Sequence, residues 1–262
     1  MDSTPKHNIG IALSGGGARG FAHLGALKAL EEFGLKPDIL AGVSAGSAAA
    51  VMYAAGLSTE RILALFAEKK LRDLTEWNFH GDSFFLLERF GDLIKQAVYP
   101  YTRLEDLPIP TYLGVTDFSK GTPVEFHTGD IAERVMASCC IPIVFKPIII
   151  DNTPYVDGGV LRNLPAWIIR DKCQNLVGVN CSPLLHHTYK SSLLSIALRT
   201  FMLMERSNQT EDIAMCDLHV EMPEIANYKV FNLKEIRQVY ISGYATTRRF
   251  LKNNIHKLKI QQ

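Results

Sequence analysis

A chain of 262 residues with 47% hydrophobic and 21% charged side chains can bury a sizeable core, which excludes an intrinsically disordered polypeptide. Its formal net charge of +1 sets up no global field, so no nucleic-acid partner is expected and any contact with a charged surface must be local. The five cysteines (Cys139, Cys140, Cys173, Cys181 and Cys216) are odd in number, two are adjacent and none has metal-ligand spacing, which argues against a disulfide framework and for reduced, mostly buried thiols.

Met1–Asn8 is polar, with no basic segment leading into an apolar one, and no run of about 18 apolar residues follows, so a cytoplasmic protein is expected. Ile9–Ser14 predicts a buried strand that runs into three glycines, and Gly20–Phe33 has apolar residues at helical spacing until Gly34 and Pro37 stop it. Asp38–Val43 repeats the strand pattern, and Ser44–Ala55, rich in small residues, predicts a helix stopped by Gly56. Ser58 reads as an N-cap for a helix over Glu60–Leu71, whereas Trp77–Tyr101 is aromatic-rich and matches no regular element. Thr111–Phe118 and Thr122–Thr128 predict a hairpin around Lys120-Gly121, followed by a helix over Ile131–Ser138 and paired strands at Phe145–Ile150 and Thr153–Val156. The rest predicts a short helix over Leu164–Asp171, a strand over Asn175–Asn180, a helix over Ser192–Ser207, a strand over Met215–Glu221 and a long helix over Leu233–Leu258. With no repeat or linker, this alternation predicts a single domain over residues 1–262, a three-layer α/β/α sandwich with a mostly parallel central sheet.

Three clusters carry chemistry. Gly15-Gly16-Gly17-Ala18-Arg19-Gly20 lies between a strand and a helix, where backbone N–H groups can converge on an anion; the plainer reading is a tight turn. Gly42-Val43-Ser44-Ala45-Gly46 places a serine between glycines at a strand-to-helix turn, the context of a nucleophile elbow, although a serine N-cap would look similar. Asp157-Gly158-Gly159 follows a strand pair and alone reads as a turn.

Gly15, Gly17 and Gly20 also satisfy the spacing of a dinucleotide-binding loop, but that fold wants an acidic residue at the end of the second strand, and Asp38 stands at its start. An ordinary α/β-hydrolase needs several strands before its nucleophile, and only one strand, one glycine loop and one helix precede the strand that leads into Ser44.

Taken in order, the three motifs resemble the patatin-like phospholipase family, with its glycine loop, G-x-S-x-G and D-G-G/A, over a motif-bearing core of about residues 8–181. The resemblance implies a patatin-like three-layer sandwich and a lipid acyl hydrolase of phospholipase A or esterase type. It implies Ser44 as nucleophile, Asp157 as general base without a histidine, and the amides of Gly15, Gly16 and Gly17 as oxyanion hole, with Arg19 supporting that loop. Gly20, Gly42, Gly46, Gly158 and Gly159 belong to the motifs. No cofactor and no metal are implied, and the partner is a lipid or other acyl ester. Residues 182–262 carry no quotable motif. A catalytically silent domain that binds lipid or a partner is the competing reading, opposed by the retention of Ser44, Asp157 and the glycines.

Of the histidines, His23 lies one turn into the first helix, where it can pack or approach the site, and His186 and His187 read as an exposed loop pair. Trp77, Phe79, Phe84, Phe85, Leu86, Leu87 and Phe90 could cover an acyl chain or form a satellite cluster. Lys234, Arg237, Arg248, Arg249, Lys252, Lys257 and Lys259, interrupted by Glu235, make either a solvated helix face or a transient contact with anionic lipid.

Overall fold

The computed structural model describes residues 7–78, 81, 83–183 and 192–259. Phe79, His186 and His187 lie outside the described residues.

The chain opens with β1 (His7–Leu13), a short 3-10 turn over Gly17–Gly20 and α1 (Phe21–Glu32), then β2 (Ile39–Val43) and α2 (Ala45–Ala54). Ser58 does cap a helix, its Oγ accepting from Arg61 N–H, a contact worth about 1 kcal/mol. That helix, α3 (Thr59–Ala67), is shorter than expected and is followed by a separate turn, α4 (Leu71–Leu74). The aromatic stretch resolves into a small hairpin, β3 (Glu76–Trp77) and β4 (Phe85–Leu86), and a helix, α5 (Glu88–Val98). The apolar stripe of α5 includes a glycine, burying Gly91, Ile94 and Val98, which hides its period in the sequence.

Next come the hairpin β5 (Thr111–Asp117) and β6 (Thr122–Phe126), α6 (Ile131–Cys139), β7 (Ile148–Ile150), β8 (Thr153–Asp157), α7 (Ala166–Ile169) and β9 (Cys173–Asn180). The remainder is α8 (Leu193–Ser207), α9 (Thr210–Met215), β10 (Leu218–Glu221) and α10 (Ile236–Asn254). Met215 therefore ends a helix, whereas the sequence pattern placed it in a strand.

The main sheet runs β10-β9-β1-β2-β5-β8-β7, with β6 also on β5. Pairs from β10 to β5 are parallel, and those among β5, β6, β8 and β7 are antiparallel, so the sheet is mixed and mostly parallel along its centre. Along β1 the side chains alternate: Ile9, Ile11 and Leu13 enter the larger core with α1, α2, α3 and α10, while Ala12 joins a smaller core with α7 on the opposite face. On the large face, α10 crosses α1 with unusually close backbones: a Cβ on Gly25 would strike Tyr240 O, and one on Gly243 would strike Ala22 O. No helix among the described residues is long and apolar enough to cross a membrane. All five cysteines are free, with Cys140, Cys173 and Cys181 buried.

One feature of register positions the site. Strand β2 occupies one edge of β5 as far as the pair Val43–Gly114, and β8 arrives from the opposite direction on that same edge, its last residue Asp157 facing Val115. The strand end carrying Ser44 and the strand end carrying Asp157 thus meet head to head along a single neighbour.

Candidate active site

Ser44 follows β2 directly and adopts φ 52°, ψ −123°, a conformation that costs a non-glycine residue about 1–3 kcal/mol. The surroundings enforce it: a Cβ on Gly42 would strike Gly46 O, and one on Gly46 would strike Leu13 O, so strand, turn and helix pack at backbone contact. Ser138 Oγ accepts from Ser44 N–H at 2.9 Å and donates to Gly114 O at 2.8 Å, and Ser47 Oγ donates to Ser44 O at 2.6 Å. Those bonds hold the backbone of the elbow and leave the Ser44 hydroxyl free of them.

Asp157 is wholly buried. Its Oδ1 accepts from Gly159 N–H at 2.8 Å, while Oδ2 has no hydrogen-bond partner among the described residues. Burial pushes the carboxyl up to about 7, partly offset by the Ser44 side chain within interaction distance and by the Gly159 amide. An unpartnered carboxylate oxygen beside a serine, titrating near neutrality, is equipped to accept a proton.

The glycine loop departs from its expected form in one respect. Gly15 N–H is already engaged, donating to Asn163 Oδ1 at 3.1 Å and to Asn163 O at 3.3 Å. Ala18 N–H donates to Val230 O at 2.6 Å and Arg19 N–H to Gly16 O at 3.1 Å. Gly16 and Gly17, with φ 157° and 56°, hold the amides of this loop that carry no such bond among the described residues.

Arg19 is buried, and its guanidinium donates to Tyr228 O at 2.8 Å, Pro183 O at 3.1 Å and Ala226 O at 2.7 Å. It therefore pins the loop to later parts of the chain and holds no carbonyl of the loop itself. Arg19→Ala would orphan three carbonyls, an expected loss of about 3 kcal/mol or more in a denaturant titration, with kcat falling further than KM rises. Arg19→Lys, a single ammonium without the planar fork, should recover only part of both.

His23 is fully buried with both ring nitrogens engaged: Nε2 donates to Ser14 O at 2.7 Å, which leaves Nδ1 to accept from Cys181 Sγ at 3.3 Å. Burial lowers its pKa to about 4, so it stays neutral and tied away from Ser44.

Ser44 stands on the wall between two cavities. One, about 150 Å³, is almost wholly apolar and lined by Met52, Phe66, Leu74, Phe90, Cys139 and Phe145; a dry cavity of that size elsewhere admits benzene. The other, about 890 Å³, is the more polar of the two: Arg19, Arg199, Glu205, Asn227, Lys229 and Lys234 line it beside apolar Leu198, Phe201 and Met202. Both share Ser44, Gly17, Ile141, Val230 and Phe231. From the aromatic stretch, Leu87 and Phe90 line the apolar cavity, while Phe85 stacks toward Phe145 and exposed Trp77 packs on Phe85. From the C-terminal cations, Lys234 turns to the polar cavity and Arg249 pairs with Glu224 at 2.6 Å. Asn163, Ser182, Glu205, Val230 and Phe231 escaped the sequence reading, because no local pattern marks them and all reach the site through long-range contacts.

The matched family is Patatin-like phospholipase, over residues 11–169, which takes in all three motifs. An uncharacterized NTE family protein of Mycobacterium tuberculosis is 32% identical over 165 residues, 62% of this chain and 45% of that protein. Lysophospholipase NTE1 of Mycosarcoma maydis is also 32% identical, over 62% of this chain but 9% of its own length. The chain thus spans less than half the length of these relatives. Among solved structures, VipD from Legionella pneumophila shares the fold, with a TM-score of 0.51 at 16% identity over 95% of this chain and 67% of that one. With a family match that covers more than half of the residues and the sheet order and elbow to go with it, the chain belongs to the patatin-like phospholipase family.

Proposed function

We propose that this chain is a lipid acyl hydrolase that cleaves carboxylic esters through a Ser44–Asp157 dyad. The observation that carries the proposal is the position of Ser44, in a strained elbow beside a buried carboxyl and on the wall shared by an apolar and a polar cavity. An ester lying across that wall puts its acyl chain among Met52, Phe66 and Phe90 and its alcohol portion among Asn227, Lys229 and Lys234. The cations suit an alcohol that bears phosphate, in keeping with the lysophospholipase name of one relative.

In this mechanism Asp157 takes the proton as Ser44 Oγ attacks the ester carbonyl. The amides of Gly16 and Gly17 stabilise the oxyanion, each such donor being worth about 3 kcal/mol. Protonated Asp157 then passes its proton to the departing alkoxide, leaving an acyl-serine, and a water activated by Asp157 repeats the cycle to free the fatty acid. The single domain over residues 1–262, the cytoplasmic setting and a transient contact with a membrane surface remain parts of this proposal.

The test is mass spectrometry after treatment with a fluorophosphonate, alongside turnover of lysophospholipid, phospholipid and neutral acyl esters. An adduct on Ser44 with turnover supports the hydrolase; a folded protein that takes no label and turns over none of them points to a silent binding domain. Among the described residues no three His, Cys, Asp or Glu side chains converge to hold a metal, so activity is expected to survive chelation. Loss with EDTA that calcium or zinc restores would contradict that expectation.

A further inference from the structure

The proposed mechanism leaves one buried carboxyl unused. Glu205 sits on α8, outside the matched family region, is 5% exposed, and lines the polar cavity with Ser44. Its Oε1 lies 2.9 Å, and the Ser44 Cβ 3.3 Å, from the point where a Cβ on Gly15 would stand. It therefore flanks the glycine loop on the side of the nucleophile.

The state of this carboxyl follows from counting protons on Ser182. Ser182 Oγ lies 2.7 Å from Gly15 O and 3.4 Å from Glu205 Oε1, and it accepts from Asn163 Nδ2 at 3.1 Å. A hydroxyl has one proton, and the shorter contact takes it to the Gly15 carbonyl. The Glu205 contact is then favourable when the carboxyl supplies a proton of its own. The charged groups facing Glu205 act in opposite directions. Asp157 disfavours a second negative charge, and the Arg19 guanidinium favours one but is committed to three carbonyls, with Arg199 also near Arg19. Burial, then Asp157, raise the Glu205 pKa to about 8, against Arg19 and Ser182.

We propose that Glu205 is held as an un-ionised carboxylic acid that clamps the glycine loop through Ser182, and that its ionisation shuts the site down in alkali. Glu205 is thereby a positioning residue for the oxyanion donors Gly16 and Gly17, an assignment that rests on the hydrolase reading above. Once ionised, it can only accept from Ser182, in competition with the Gly15 carbonyl that the same hydroxyl proton holds, and it places a negative charge beside the developing oxyanion.

The experiment compares pH profiles of kcat for wild type, Glu205→Gln and Glu205→Ala, together with a wild-type minus Glu205→Gln infrared difference spectrum at pH 7. Wild type should lose activity above about pH 8. Glu205→Gln, whose amide can still donate to Ser182, should lower kcat about threefold at neutral pH and abolish the alkaline fall, while Glu205→Ala should lower it about tenfold with KM little changed. The spectrum should contain the C=O stretch of an un-ionised carboxyl. An alkaline fall that persists in Glu205→Gln, a folded Glu205→Gln as inactive as Ser44→Ala, or a carboxylate band at pH 7 would each overturn the proposal. If no ester is turned over at all, the hydrolase reading fails, and the spectrum still decides the state of Glu205.

Discussion

Ser44→Ala is expected to lower ester hydrolysis by at least about 10⁴-fold while leaving the fold in place. Removing Oγ removes the attacking atom. The bonds that hold the elbow, from Ser44 N–H to Ser138 and from Ser47 to Ser44 O, use the backbone and survive the change. Alanine meets the same positive φ as serine, so the strain is unchanged and the melting temperature should move little. The oxyanion donors remain, which predicts residual catalysis above the uncatalysed rate but no acyl-enzyme and no fluorophosphonate adduct. Hydrolysis near the wild-type rate by the folded variant would sink Ser44 as nucleophile.

Asp157→Asn should cost nearly as much, about 10⁴-fold in kcat, because it keeps the shape and removes the base. The asparagine Oδ1 can still accept from Gly159 N–H, so the turn is preserved. The losses in the Ser44→Ala, Asp157→Asn double variant should not add, since nucleophile and base act as a unit. With the carboxyl titrating at about 7, wild-type kcat/KM should fall as pH drops through 7, where Asp157 takes up a proton and ceases to be a base. Stability gives an independent reading with a definite sign. Burial raises this pKa from 3.8 to about 7, so between those values the folded state holds a proton that the unfolded chain has lost, and stability declines as pH rises through this window. Asp157→Asn removes that penalty and should melt above wild type at pH 8, by more than at pH 5. Replacing His23, His127 or His219 singly should leave most of the activity. A folded histidine variant as inactive as Ser44→Ala would require a triad in place of the dyad.

Much was legible from local pattern alone. The apolar runs at Ile9 and Asp38, the glycines after the first and the Gly-x-Ser-x-Gly after the second each depend on neighbours within a few residues, which is where backbone propensity and turn chemistry act. That is why the strand, loop, helix and elbow could be placed, and why the motif order singled out Ser44 and Asp157. Where the local pattern was diluted, as at Gly91 in α5, or shared between two states, as at Met215, the element was missed or misassigned.

The sequence by itself determined which chemical groups are present and the turns that carry them. Only the tertiary structure decided how they meet. β8 pairs with the edge of β5 that β2 vacates at Gly114, which brings Asp157 to Ser44 from far along the chain. Asn163 claims the Gly15 amide, which leaves those of Gly16 and Gly17 without a bond among the described residues, and α8 delivers Glu205 to the glycine loop from outside the motif-bearing region. Such outcomes depend on sheet register and on which distant side chain fills a given buried position. Those are set by packing of the whole domain, because a buried donor or acceptor must find a partner wherever the fold provides one.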